Sequence, residues 1–262
     1  MCPHHVRFAV PLLLSMLLVA ACGGGSTTTE APSTGSAPPP APPNPGSNSL
    51  SDQQRVQAAT ATAQSADNAC SPVRSFYWEI GNRDAALASG SVSSGTSNAV
   101  YTAKSLMSMA SASKWLYASY VVQRRGGLLT DEDTKFLNFR SGYTNFDQCE
   151  PSQTVGECDA SGTNGDYTAA NAGEFFYNGG HMESHATLNG LAGMNNQALA
   201  TEIRSQLGTD IALSYSQPQL AGGIYMTPTA YALALRKMIS GQLMIGHVAG
   251  HPRRVHESQD LC

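Results

Sequence analysis

Tyr101-Thr102-Ala103-Lys104-Ser105-Leu106-Met107-Ser108-Met109-Ala110-Ser111-Ala112-Ser113-Lys114-Trp115 is the stretch on which the reading of this chain turns. From Ser111 onward, Ala112, Trp115, Leu116, Ser119 and Val122 follow helical spacing, which predicts a helix over residues 111–125 stopped by Gly126-Gly127. Ser111 and Lys114 form an S-x-x-K pattern at the start of that helix. Residues three apart lie on one helix face, so the amine of Lys114 reaches the Ser111 hydroxyl. A helix N-terminus carries partial positive charge and favours a developing alkoxide and oxyanion. A buried lysine gives up its proton more readily and then acts as the base that a serine nucleophile needs. Without chemistry, the same residues read as an N-cap serine and a solvated lysine, and the pattern alone does not separate the two.

Upstream, Ser51 and Gln54 make a capping box for a Gln- and Ala-rich helix running to Ala66. Phe76, Trp78 and Ile80 alternate as in a half-buried strand, and Asn82-Arg83-Asp84 supplies a turn. Residues 85–93 and 99–103 offer two further antiparallel strands. Downstream, Thr130 and Asp133 cap a short helix through Leu137, with Asp131, Glu132 and Asp133 in its favourable first turn. Residues 141–171 are polar and too long for a simple connector, which points to a functional or disulfide-pinned excursion. Helical signals resume over residues 183–194 and 197–207, and Thr227-Pro228 is an N-cap and N1 pair for a helix ending near Gly241. Strands followed by many helices predict an α/β (α+β) domain over residues 50–246, with an antiparallel sheet flanked by helices and no internal repeat. Trp78 and Trp115 read as core residues, and Met107, Met109, Met226 and Met244 as packing residues.

The net charge of -4 and the lack of a basic run argue against a nucleic-acid partner. At the N-terminus, Arg7 precedes an apolar run over residues 8–20, followed by Val19-Ala20-Ala21-Cys22. This is the layout of a secretory signal, too short to span a bilayer comfortably. The cysteine after two small residues resembles a bacterial lipobox, which implies cleavage after residue 21 and lipidation of Cys22. Residues 22–49 are almost all Gly, Ser, Thr, Pro and Ala, a composition that reads as a tether. The expectation is an envelope protein, lipid-anchored at the outer membrane and facing the periplasm. In that oxidising compartment Cys149 and Cys158 would close a small loop, and Cys70 and Cys262 are left as a possible second pair.

The quoted stretch resembles the strand-to-helix entry of class C-type serine β-lactamases and nylon-dimer hydrolases, within the penicillin-recognising family. Three later segments are similar to that family in the same order. They are Phe139-Arg140-Ser141-Gly142-Tyr143, Glu174-Phe175-Phe176-Tyr177, and Ala221-Gly222-Gly223-Ile224-Tyr225-Met226-Thr227 with Tyr231-Ala232. The resemblance spans roughly residues 76–246. It implies a β-lactamase/transpeptidase-like fold, Ser111 as acylated nucleophile with its N–H as half of an oxyanion hole, Lys114 as base partner, and Tyr177 as a second proton carrier. It implies no cofactor, and a small-molecule or peptide substrate with an amide or ester bond, such as a β-lactam, a peptidoglycan stem peptide or a simple carboxylic ester. Two features depart from the pattern. Asn178 directly follows Tyr177, one place short of the usual Tyr-x-Asn. The family's Lys/His-Thr/Ser-Gly strand has no match in residues 247–262, an atypical tail, so the domain is expected to be truncated. That departure keeps open a non-catalytic surface lipoprotein. A third reading comes from His181, Glu183 and His185, whose histidines four apart would share a helix face and grip zinc, although the zincin order H-E-x-x-H is not met.

Overall fold

The structure is a computed structural model, describing residues 50–68, 71–96 and 99–249. The leader, Cys22, the tether, Cys70, Cys262 and the tail from residue 250 lie outside the described residues. Among the described residues no helix is long and apolar enough to cross a membrane.

The expected mixed α/β class holds, with helices around small antiparallel sheets. The first element among the described residues is α1 (Asp52–Gln64), whose capping box joins Ser51 and Gln54 as read from sequence. β1 (Phe76–Gly81) and β2 (Ala86–Val92) form a hairpin, its turn held by Asn82 Oδ1, which accepts from the N–H groups of Asp84 and Ala85. Trp78 lies opposite Gly90 in this ladder, and a Cβ on Gly90 would sit 2.9 Å from the indole nitrogen, so the ring occupies the space a side chain would need. Trp78 is half-buried rather than fully in the core.

The second sheet is built from β3 (Met107–Ser108), β4 (Leu213–Tyr215) and β5 (Ile224–Met226), with β5 in the centre and both neighbours antiparallel. Residues 99–103 do not form the expected strand. Local side-chain bonding wins there. The Thr102 N–H donates to Ser105 Oγ (2.9 Å) and the Ser105 N–H returns to the Thr102 carbonyl (3.1 Å), closing a turn.

α2 (Ser113–Arg124) supplies the centre of the core. Leu116, Tyr117, Tyr120 and Val121 pack with Leu199, Ile203 and Leu207 of α6 (Asn196–Leu207), and with Ile224 and Met226 of β5. Trp115 is not in this core: it is 56% exposed, because the buried stripe of α2 runs through Ser113, Leu116, Tyr117 and Tyr120 and leaves position 115 outside. Met226 is buried and Met109 packs against the core, whereas Met107 and Met244 are exposed. α3 (Asp131–Leu137) and α4 (Val155–Asp159) both begin with capping boxes, the first being the expected Thr130–Asp133 pair. Cys149, between them, is joined by a disulfide to Cys158 within α4, which pins the polar excursion. The helix expected over residues 183–194 is instead α5 (Gly180–Ala186) followed by a wide turn, broken where Gly190 takes a φ of 84°. α7 (Pro228–Ile239) starts at the Thr227 cap as read, and α8 (Ile245–Ala249) carries helix past the expected boundary at residue 246.

Candidate active site

Three segments meet around Ser111: the turn leading into α2, the loop carrying Ala221 and the loop carrying Tyr177. Met109 extends the β3–β5 pairing by donating its N–H to the Ile224 carbonyl (2.8 Å), and Ala110 then adopts a φ of 43°. A non-glycine residue in that region is strained, and such strain persists only where surrounding contacts enforce it. The strained residue opens a single 3₁₀ turn over Ala110–Ala112, and α2 proper begins at Ser113, two residues later than expected. Ser111 therefore sits exposed on the turn before the helix, while Ser113 is fully buried and accepts from the Ile224 N–H through Oγ (3.3 Å).

Lys114 meets the expectation of a shared face. Its Nζ lies 3.2 Å from Ser111 Oγ and 2.9 Å from the Ala221 carbonyl oxygen, to which it donates. The same nitrogen stands 5.0 Å from the centre of the Tyr177 ring. Hydrogen bonding to Ser111 is the largest influence and, helped by the charge of Lys114, holds the Tyr177 phenol below its ordinary value against the opposing effect of burial. Ser111, Lys114 and Tyr177 are thus one cluster.

The loop carrying Tyr177 is fastened by the Phe139–Tyr143 segment. The Phe176 N–H donates to the Phe139 carbonyl (2.9 Å), and Arg140 donates through Nη1 to the Gly173 carbonyl (2.7 Å). The Phe139 ring lies 4.9 Å from that of Tyr177. From α5, His181 closes the loop from beneath. Its Nε2 pairs with the Phe176 carbonyl (2.8 Å), which only accepts, so Nε2 carries the proton and Nδ1 accepts from Ser141 Oγ (2.6 Å). Burial lowers the pKa of His181, which favours this neutral form. Asn178, off register by one place, accepts the Gly180 N–H through Oδ1 (2.8 Å).

No family model matches the chain, and no curated protein matches it by sequence.

The zinc constellation reads differently once the partners are visible. His185 is buried, with Nε2 donating to Asp133 Oδ1 (3.0 Å) and Nδ1 accepting from the Tyr117 hydroxyl (2.8 Å). Both ring nitrogens of both histidines are engaged within the protein, and among the described residues no cluster of three metal-ligating side chains occurs. Glu183, the third member, reaches the Leu220–Ala221 backbone. It is fully buried, and burial pushes its carboxyl up to about 8 even though it accepts two backbone N–H groups. Sequence reasoning missed this role, since its partners lie 37 and 38 residues away.

The cluster opens to solvent beside exposed rings, with Tyr177 55%, Phe175 61% and Phe176 46% accessible. A separate apolar groove of about 620 Å³ runs between β1 and α7, lined by Trp115, Leu235 and Ile239 among others, and does not include Ser111, Lys114 or Tyr177.

Proposed function

We propose that the chain is an exported serine hydrolase of the β-lactamase-related kind, cleaving amide or ester bonds through an acyl-serine at Ser111. The observation that carries this reading is the convergence of Lys114 Nζ on Ser111 Oγ at 3.2 Å with the Tyr177 ring beside the same nitrogen. Two segments distant in sequence meet there, and the Ala221 carbonyl brings a third to the same amine, a coincidence that a simple cap and a solvated lysine do not require. The strained Ala110 before Ser111 adds support, because strain collects at functional turns.

In the reaction, Ser111 Oγ attacks the carbonyl carbon of the substrate as its proton passes to the amine of Lys114, which has first given up a proton to solvent. The tetrahedral oxyanion collapses, the C–O or C–N bond breaks, and the leaving alkoxide or amine takes that proton. Water then gives a proton to the same amine and attacks the acyl carbon, and the Ser111 oxygen leaves reprotonated. Tyr177, with its lowered pKa, shares the proton in both halves. The exposed Phe175 and Phe176 favour a substrate with an apolar acyl or leaving group. Anchoring through lipidated Cys22 in the bacterial envelope belongs to the same proposal.

A fluorophosphonate probe tests it, forming a serine–phosphorus bond as fluoride leaves. Mass mapping should find the adduct on Ser111, and Ser111→Ala should abolish it. Lys114→Ala should slow labelling by roughly 10²–10⁴, the usual worth of general-base help. Label that persists in Ser111→Ala overturns the assignment, and a wild-type protein that takes no label supports a non-catalytic lipoprotein instead.

A further inference from the structure

Glu183 is an acid in the wrong surroundings. Its side chain is fully buried on α5, no cation among the described residues is bonded to it, and both of its oxygens face backbone. Oε2 accepts the Leu220 N–H at 3.0 Å, and Oε1 accepts the Ala221 N–H at 2.8 Å. A buried carboxyl is costly to hold, and a structural clamp on two N–H groups does not need a titratable group. The other end of Ala221 explains the placement, since its carbonyl receives Lys114 Nζ at 2.9 Å.

We infer that Glu183 is the positioning residue of the Ser111–Lys114 pair, acting through Ala221 to aim the lysine amine at the serine hydroxyl. The inference rests on the hydrolase reading above and deepens it. The linkage is short: carboxyl to Ala221 N–H, Ala221 carbonyl to Lys114, Lys114 to Ser111. The turn that carries it has little freedom. A Cβ on Gly223 would lie 2.5 Å from the Gln217 carbonyl oxygen, and the Gly223 N–H already donates to Gln219 at 2.8 Å. Beyond the turn, Ile224 is tied to α2 through Ser113 and to Met109. The Ala221 carbonyl is therefore fixed from both sides, and Glu183 fixes the side without sheet bonds. The carboxyl also acts at a distance. Among the described residues, the charged and titratable groups facing it are Lys114 and Tyr117 from α2, Asp159 from α4 and Tyr215 from β4, with Lys114 the cation of the set.

Two readouts test this. The first is the rate of fluorophosphonate labelling at Ser111. The second is the pH midpoint at which Lys114 is acetylated by acetic anhydride, followed by mass spectrometry, which needs no hydrolase activity. Glu183→Gln presents an amide N–H₂ to one of the two backbone donors and turns the Ala221 peptide. Labelling should fall about 10²-fold, the cost of a small misplacement at a reacting centre. With the facing negative charge gone, the Lys114 midpoint should move to lower pH. Glu183→Asp keeps the charge but falls short of the two N–H groups, so it should slow labelling while leaving the midpoint near the wild-type value. A midpoint unmoved in Glu183→Gln, or undiminished labelling in Glu183→Asp, overturns the inference. If the glutamine variant fails to fold, the aspartate variant still decides it. If wild-type Ser111 takes no label, the hydrolase reading fails, and the Lys114 midpoint alone decides whether Glu183 governs that amine.

Discussion

Replacing Asp133 by Asn should be among the most damaging single changes to this domain. Asp133 is 1% exposed and accepts four hydrogen bonds. Oδ1 takes them from Arg125 Nη2 (2.9 Å) and His185 Nε2 (3.0 Å), and Oδ2 from the Thr130 N–H (2.9 Å) and hydroxyl (2.8 Å). An asparagine keeps the shape and one acceptor oxygen, but its N–H₂ must face one of these donor pairs. Two bonds are lost and two donors are left opposed to the amide N–H₂. A bond to a charged group is worth about 1.5–3 kcal/mol. Arg125 is more than a third exposed, so its share is discounted for solvent screening. The loss is then about 3–4 kcal/mol, in the range found for breaking buried pairs. With a urea dependence of roughly 2 kcal/mol/M, the unfolding midpoint at neutral pH should fall by about 1.5–2 M. The effect has a defined pH dependence. Burial acts to raise the Asp133 pKa, but Arg125, Thr130 and His185 together hold it well below its ordinary 3.8. A depressed carboxyl contributes stability that is present above the ordinary value and lost as pH falls below it. Wild type and Asp133→Asn should therefore converge on acidification below about pH 4. A loss under ~1 kcal/mol at neutral pH, or a gap that survives acidification, would refute the reasoning.

Removing the disulfide by Cys149→Ala with Cys158→Ala should lower stability by about 2–3 kcal/mol on the loop-entropy argument for a short closed loop, read from the same urea curves; an unchanged midpoint counts against it. Labelling of Ser111 by the fluorophosphonate should rise with pH through a midpoint below the ordinary phenol value of 10, because the Tyr177 pKa is lowered. In Tyr177→Phe that inflection should vanish, and one that persists would assign the titration to another group.

The features legible in the sequence were those decided by near neighbours. The capping boxes at Ser51–Gln54 and Thr130–Asp133 and the Thr227-Pro228 start are settled within four residues, and the structure has all three. The Ser111–Lys114 approach depends on one turn of chain and was readable in the same way. Trp115 was misjudged because helical spacing does not say which of two adjoining stripes is covered, and Ser113 took the inner one. The strand expected over residues 99–103 lost to a Thr102–Ser105 turn whose bonding competes locally with pairing. Glu183 was seen only as a zinc candidate, because hydrogen bonds to backbone some 37 residues away carry no local signature.

The seven residues of α5 hold both partners of Ser111 at once. His181 grips the carbonyl next to Tyr177, and Glu183, two positions on, grips the residue that receives Lys114. One rigid body thus sets two adjustments that an engineer would want to turn separately. A library built on α5 would disturb lysine and tyrosine together and return mostly dead variants. Diversity aimed at substrate choice belongs instead on Phe175 and Phe176, whose rings are exposed and whose side chains fasten none of the hydrogen bonds that hold the site.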